Sequence, residues 1–297
     1  MQGILAVDKP LGSSSHAVVK RVKRCCQCKK AGHGGALDVM ATGLLPVFIG
    51  EATKFSQWAL NADKTYRVGA QLGCRTTTGD AEGDVLQDRS ERLSQLDTSL
   101  IQQTIESFLG SSQQIPSMYS ALKHKGQPLY RLARQGIEVE RQARTIHIND
   151  LKIVNLSNEG FTINVSCSKG TYIRNLVDDI GELLGCGAHV TELRRVAVGG
   201  LTIDSATSLD SLEYSRDVRE QSVKSVDTFL QDFFELTLTA DEVKRLQFGQ
   251  IVIVNHQQLP ELESLLRVYQ EGDGRRFMGL AQVCDSHTIK AKRLLAH

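Results

Sequence analysis

A carboxylate closing a glycine-rich run is the first place in this chain where side chains could do chemistry. Asp38 ends Gly34-Gly35-Ala36-Leu37-Asp38, and His33 stands five residues before it. Glycines let backbone approach a ligand closely. A carboxylate presented there could attack, or stabilise, an electron-poor carbon. An aspartate in such a loop is as readily a turn residue bonding its own backbone, and a single histidine is more often packed than reactive. A second cluster is Lys169-Gly170-Thr171-Tyr172-Ile173-Arg174. Arg174 keeps its proton at working pH and cannot be a base, but its planar fork pairs with a carboxylate or phosphate. Tyr66 offers a ring face for base stacking and a hydroxyl. Taken singly, each of these aromatics reads as core.

Other chemistries do not fit the spacing. Gly50-Glu51-Ala52-Thr53-Lys54 lacks the frame of a nucleotide phosphate loop, and Asp80-Ala81-Glu82-Gly83-Asp84 is too short for a calcium loop. Cys25, Cys26 and Cys28 have no second C-x-x-C to complete a zinc site. The 7 cysteines are odd in number and unevenly spaced, which points to free thiols in a reducing cytoplasm. No metal is expected.

These residues must be held by a fold that 297 residues can build as one large domain plus a small one. The composition, 41% hydrophobic and 23% charged, is that of a soluble globular chain. No apolar run approaches membrane-spanning length, and the N-terminus does not read as a signal peptide. The pattern predicts strands at Gly3–Val7, Lys64–Leu72, Arg144–Val154 and Gly160–Cys167, with an extended stretch at Ala188–Val198. It predicts helices after Ser13-Ser14-Ser15, over Ala52–Leu60, Leu100–Leu109 and Thr171–Leu184. Ala31–Gly43, with four glycines, has neither period. Beyond Glu235 the composition shifts to a helix at Ala240–Phe248 and short strands, a β-rich module. Strands and helices do not alternate regularly, so the class is α+β. Net charge is only +1, but it is sorted: Lys20–Lys30 carries six bases and no acid, Lys123–Arg144 is also basic, and Leu201–Glu235 is the acidic counterweight. Such sorting can offer a basic face to phosphates, or be no more than solvated helix faces.

Several motifs then occur in one order: Gly3-Ile4-Leu5-Ala6-Val7-Asp8-Lys9-Pro10, Gly32-His33-Gly34-Gly35-Ala36-Leu37-Asp38, Lys64-Thr65-Tyr66-Arg67-Val68, Gln114-Ile115-Pro116-Ser117-Met118-Tyr119-Ser120-Ala121-Leu122-Lys123, Cys167-Ser168-Lys169-Gly170-Thr171-Tyr172-Ile173-Arg174, and Gly187-Ala188-His189-Val190 with Leu193-Arg194-Arg195. On these the chain resembles, over essentially its whole length, the bacterial tRNA pseudouridine-55 synthases of the TruB family. The resemblance implies a pseudouridine synthase fold, a mixed and mainly antiparallel sheet flanked by helices (residues 1–235). It also implies a C-terminal PUA-like RNA-binding domain (residues 236–297). The implied activity is isomerisation of the T-loop uridine of tRNA, without a cofactor, by a cytoplasmic monomer that also assists tRNA folding. The T-arm stem-loop of tRNA is the implied partner, with no membrane and no protein partner. Asp38 matches the family's catalytic aspartate, Tyr66 the tyrosine stacked on the target base and a proposed base, and Arg174 the aspartate's partner. Tyr172 and Leu193 match pocket residues, His33 a residue holding the flipped nucleotide, and Lys9 a supporting lysine. Two positions depart from the family pattern. Gly34 stands where threonine is usual and Val39 where proline follows the aspartate, so a looser loop is expected. On the residues alone, two other readings compete: an RNA-binding protein that does not use Asp38, and a hydrolase, for which no second carboxylate stands out.

Overall fold

The first strand, β1 (Gly3–Lys9), is buried at every position except Asp8. Its alternation sends Ile4 and Ala6 into one core and Leu5 and Val7 into another, as a strand covered on both faces requires. In the computed structural model, which describes residues 1–255, 257–272 and 274–295, this strand anchors one side of the large sheet. Helix α1 (Ser15–Cys25) begins where the Ser14 hydroxyl accepts from the Ala17 amide, and buries Val18, Val19 and Val22. Short β2 (Ala31–His33) pairs with β3 (Thr42–Ile49), so residues 34–41 form a loop closed at both ends by one hairpin. The expected helix over Ala52–Leu60 is a 3-10 stretch, Gly50–Phe55, followed by α2 (Ser56–Asn61).

Strand β4 (Lys64–Leu72) leads to the hairpin β5 (Cys74–Thr76) and β6 (Val85–Asp88). Helix α3 (Thr98–Glu106) starts earlier than its apolar period suggests, because Asp97 caps it by accepting from the Leu100 amide. Edge strand β7 (Gly110–Gln114) precedes an arm made of β8 (Lys123–His124), β9 (Gln127–Pro128) and α4 (Leu129–Ala133). The chain returns through β10 (Arg144–Leu156) and β11 (Gly160–Cys167), paired as their patterns indicate. Helix α5 (Ile173–Leu183) begins just after Tyr172, which stays extended. Strand β12 (Ala188–Val198) then runs antiparallel to β4 and parallel to β3. Short pieces complete this part: β13 (Leu201–Thr202), β14 (Thr207–Ser208), α6 (Leu209–Tyr214), α7 (Arg216–Ser222) and β15 (Val223–Lys224).

The sheet order is β14-β1-β3-β12-β4-β11-β10-β7, antiparallel except at β14–β1 and β3–β12. Helices α3 and α5 cover one side, where Ile101, Ile105, Leu176, Val177 and Ile180 meet Val68, Ile163 and Val190. A second sheet is built from β16 (Phe234–Leu238), β17 (Val252–Ile253), β18 (Leu265–Gln270), β19 (Arg276–Val283) and β20 (Thr288–Leu294), with α8 (Ala240–Gln247) between its first two strands. Strands β16 and β20 are additions to the expected set. Tyr269, Phe277 and Leu280 of this sheet share a core with Phe48, Phe55 and Ala59 of the large one. Among the described residues no helix is long and apolar enough to cross a membrane.

Candidate active site

The loop carrying Asp38 is pinned at nearly every residue. The Gly34 amide donates to the Pro46 carbonyl at 2.8 Å, and the Gly35 amide donates to His33 Nδ1 at 3.3 Å. Buried Arg195, on β12, donates to the carbonyls of Gly35 (3.0 Å), Ala36 (3.4 Å) and Leu44 (2.8 Å). The Ser15 hydroxyl clasps Leu37 from both sides, accepting from its amide at 2.7 Å and donating to its carbonyl at 3.0 Å. The Val39 carbonyl accepts from the Gly12 amide and from Lys9 Nζ, which also donates to Pro10 and Ser13. The Ala41 amide donates to the Asp38 carbonyl, closing a four-residue turn.

The expected looseness is therefore absent from the geometry. Gly35 has φ +122, where an L side chain is strained. Gly34 is a packed glycine: a Cβ there would lie 2.5 Å from the Ala59 Cβ and 3.0 Å from the Phe48 ring. Helix α2 occupies the space a larger residue would take. Lys64 holds that helix, its Nζ donating to the carbonyls of Ala59, Leu60 and Ala62 at its C-terminal end.

Arg174, on the first turn of α5, is 6% exposed and puts Nε 3.0 Å from Asp38 Oδ2. Its other nitrogens donate to the Thr78 carbonyl (2.6 Å), the Asp80 carboxylate (3.3 Å) and the Tyr119 carbonyl (2.8 Å). Asp80 is buried and takes further bonds from the Thr78 hydroxyl and the Glu82 amide. The guanidinium is thus clamped between a buried acid and an accessible one. Asp38 is 46% exposed, so a substrate can reach it.

The other residues singled out from sequence surround this pair, with one exception. Lys9, Tyr66 and Tyr172 all lie close enough to feel the charge of Asp38. Burial lowers Lys9 to about 8, with Asp38 opposing the shift. Burial pushes the Tyr66 phenol up, and the neighbouring Arg195 guanidinium works against that. Burial likewise raises Tyr172. Leu193 is buried with Leu37, Met40 and Val68 in an apolar floor, against which Tyr66 packs. His33 is the exception: it sits at the loop's entrance, where burial first and then Arg195 lower its pKa. It faces the backbone of Gly35 rather than Asp38.

Sequence reasoning gave no part in the site to Arg195, Asp80, Lys64 or Gln114, and saw Ser15 only as one of three candidate helix caps. Asp80 was visible only as part of an incomplete calcium loop, and Arg195 only as the end of a motif. Their partners are backbone carbonyls, amides or a distant arginine, which local pattern does not reveal. The basic run Lys20–Lys30 is partly spent inside the protein. Arg21 pairs with Asp210 and Glu213 of α6 at 3.0 and 2.7 Å, Arg24 reaches Glu213, and Lys30 reaches Glu51. The arm differs: Lys123, Lys125, Arg131 and Arg134 are all exposed.

Comparison with known proteins gives one consistent picture. Residues 23–173 match the family described as TruB family pseudouridylate synthase (N terminal domain), residues 174–233 the tRNA pseudouridylate synthase B C-terminal domain, and residues 235–295 the C-terminal domain of pseudouridine synthase II TruB. The tRNA pseudouridine synthase B of Yersinia pestis (strain Pestoides F) is 44% identical over 308 residues, spanning 99% of this chain and 92% of the relative. That of Actinobacillus pleuropneumoniae serotype 5b (strain L20) is 43% identical, spanning 99% and 96%. Among solved structures, a Cbf5-Nop10-Gar1 complex superposes with a TM-score of 0.75 at 23% identity, over 98% of this chain and 84% of its own. An H/ACA RNP bound to a substrate RNA containing 2'-deoxyuridine gives 0.72 at 22%, over 99% and 85%. At these identities the structures speak for the fold alone.

Proposed function

This chain belongs to the TruB family of pseudouridylate synthases, and we propose that it converts the T-loop uridine of tRNA, position 55, to pseudouridine with Asp38 as the reacting carboxylate. The reaction breaks the bond between C1′ of the ribose and N1 of the base, turns the base, and joins C1′ to C5. The C5 proton leaves to solvent and N1 regains one. Nothing is oxidised and no group is transferred from outside, so the isomerisation needs no redox cofactor and no ATP.

The observation that carries this reading is the 3.0 Å contact between buried Arg174 and half-exposed Asp38. It presents a carboxylate, charge-paired and aimed, at the mouth of an apolar floor. A uridine stacked within RNA must first be extruded, at a cost of a few kcal/mol. Stacking on the Tyr66 ring returns about 1–3 kcal/mol of that. Leu193 and Tyr172 then bound the base, and His33 and Lys9 hold the loop and the nucleotide around it. Asp38 meets the positive charge that develops at C1′ as the glycosidic bond breaks. Removal of the C5 proton by Tyr66 has a physical obstacle in its raised pKa, which Arg195 offsets by stabilising the phenolate.

Residues 1–235 carry the catalytic part of this reading. Residues 236–297 are a PUA-like RNA-binding domain, a role supported by the separate family match at 235–295 and the five-stranded sheet. The reading is of an enzyme that acts on tRNA as a monomer in the cytoplasm. The test is tritium release from tRNA labelled at uridine C5. Wild type should release tritium from ordinary tRNA and none from tRNA with cytidine at position 55. Asp38→Asn should release none while still binding tRNA. Full activity in Asp38→Asn would sink the mechanism. Wild-type binding without release would point to an RNA-folding role instead.

A further inference from the structure

Gln114 ends edge strand β7 with only 3% of its surface exposed, and both ends of its amide are used on one residue. Its Oε1 accepts from the Tyr172 amide at 2.8 Å and its Nε2 donates to the Tyr172 carbonyl at 3.1 Å. Tyr172 is the residue before α5 and has no side-chain cap of its own. The next residues of the β7 chain add two more links. Asn175 Nδ2 donates to the Ile115 carbonyl at 2.7 Å, and Arg174 donates to the Tyr119 carbonyl. Four hydrogen bonds therefore tie residues 114–119 to residues 172–175.

Beyond residue 119 the chain goes directly into the arm, where Lys123, Lys125, Arg131 and Arg134 are exposed, and then returns to the sheet at β10. Ordinary side-chain packing does not need this arrangement. A buried amide that answers both polar groups of one residue fixes that residue's position and orientation together. Here the fixed residue lies two positions before Arg174.

We propose that Gln114 is a positioning residue that sets where Arg174 stands against Asp38 and couples that position to the seating of the basic arm on RNA. The inference rests on Asp38 and Arg174 being the reacting pair. Lys123, Lys125 and Arg131 would grip phosphates, and the chain between Gln114 and Tyr119 carries the arm's position to the guanidinium. Loss of the clamp leaves tRNA binding in place and lets Arg174 drift, so the loss appears in the rate of the bound complex.

The experiment compares Gln114→Met, which keeps the volume and removes both hydrogen bonds, with wild type, Arg174→Lys and the double variant. It measures tRNA affinity by filter binding and single-turnover tritium release at saturating enzyme. The expected result is affinity within about two-fold of wild type and a single-turnover rate reduced about ten-fold or more. In the Arg174→Lys background the same substitution should cost under about three-fold, because the group it positions is already altered. Gln114→Glu keeps the acceptor for the Tyr172 amide and should fall between, which keeps the test readable if Gln114→Met does not fold. A wild-type rate in both Gln114 variants, a loss seen only as weaker binding, or full additivity with Arg174→Lys would overturn the proposal. Asp38→Asn runs alongside: if it is active the reading of the site fails, whereas inactive Asp38→Asn with active Gln114 variants removes the clamp alone.

Discussion

Two stretches of this chain are rich in cations or close to them, and they use charge in opposite ways. Around the Asp38 loop, Lys9, Lys64, Arg174 and Arg195 are all buried; Lys9, Lys64 and Arg195 donate to backbone carbonyls, and Arg174 divides its donors between two carbonyls and the carboxylates of Asp38 and Asp80. On the arm, Lys123, Lys125, Arg131 and Arg134 are exposed. The first set is consumed within the protein: Lys9 and Arg195 take up carbonyls of the loop itself, Lys64 those at the end of α2, and Arg174 those of Thr78 and Tyr119. The second leaves its charge free for a polyanion. A lysine or arginine thus becomes a structural tie or a phosphate ligand according to burial, not residue type.

Arg195→Met tests the inner set most severely. It leaves the carbonyls of Gly35, Ala36 and Leu44 without the guanidinium. Leaving a buried acceptor without its donor costs about 1–3 kcal/mol for each group. Thermal unfolding should come down by about 10 °C, and activity should fall with it. An unchanged melting temperature would show that the loop holds itself and would erase the contrast with the arm.

Lys9 offers a sharper version through pH. Its folded pKa is about 8 against an ordinary value of 10.5, mainly because it is buried. Below 8 both folded and unfolded chains carry the proton, and the cost of burying the charge is fully present. Between 8 and 10.5 the unfolded chain still holds a proton that the folded one has released, so this group's contribution to stability improves as pH rises through that window. Activity should move the other way, because the ammonium that ties Val39 and Ser13 is lost. A kcat/KM profile for wild type should decline with a midpoint near pH 8, and Lys9→Met should be lower and lack that limb. A limb that survives in Lys9→Met would shift the assignment to Lys64, which burial also lowers to about 8.

The arm should answer differently. Replacing Lys123 and Arg131 by alanine should cost under about 0.5 kcal/mol in stability, as exposed changes usually do. It should weaken tRNA binding across the salt range and flatten the salt dependence by about one unit of slope for each phosphate no longer gripped. A large loss of stability, or binding unaffected by either change, would break the comparison from the outer side.

Much of the scaffold was legible in the order of residues, and the reasons are local. Val18, Val19 and Val22 after a serine cap, or the alternation from Gly160 to Cys167, state their own structure. Family motifs likewise marked Asp38, Tyr66 and Arg174. Support over long sequence distance stayed hidden. Arg195 reaches the Gly35 carbonyl 160 residues away, and Arg174 reaches Asp80 94 residues away. The Gly34–Ala59 approach turned an apparent source of slack into close packing. No propensity or period in the chain encodes those meetings. They arise because β12 lies between β3 and β4.

Val39→Pro is the mildest test and bears on the expected looseness directly. Val39 is the second residue of the turn closed by the Ala41 amide on the Asp38 carbonyl, the position at which proline is favoured. Its side chain is 44% exposed, and its useful atom is the carbonyl that takes Gly12 and Lys9, which proline retains. Proline would narrow the unfolded chain's freedom and add about 0.4–1 kcal/mol if the loop already sits in the required shape. Because the carbonyl ties do the holding, single-turnover tritium release should stay within about two-fold. A rate rise of about ten-fold or more would mean that the loop of the natural chain spends most of its time away from the reactive geometry. In that case the inner cations would be bystanders to its shape, and the difference drawn between the loop and the arm would lose its physical basis.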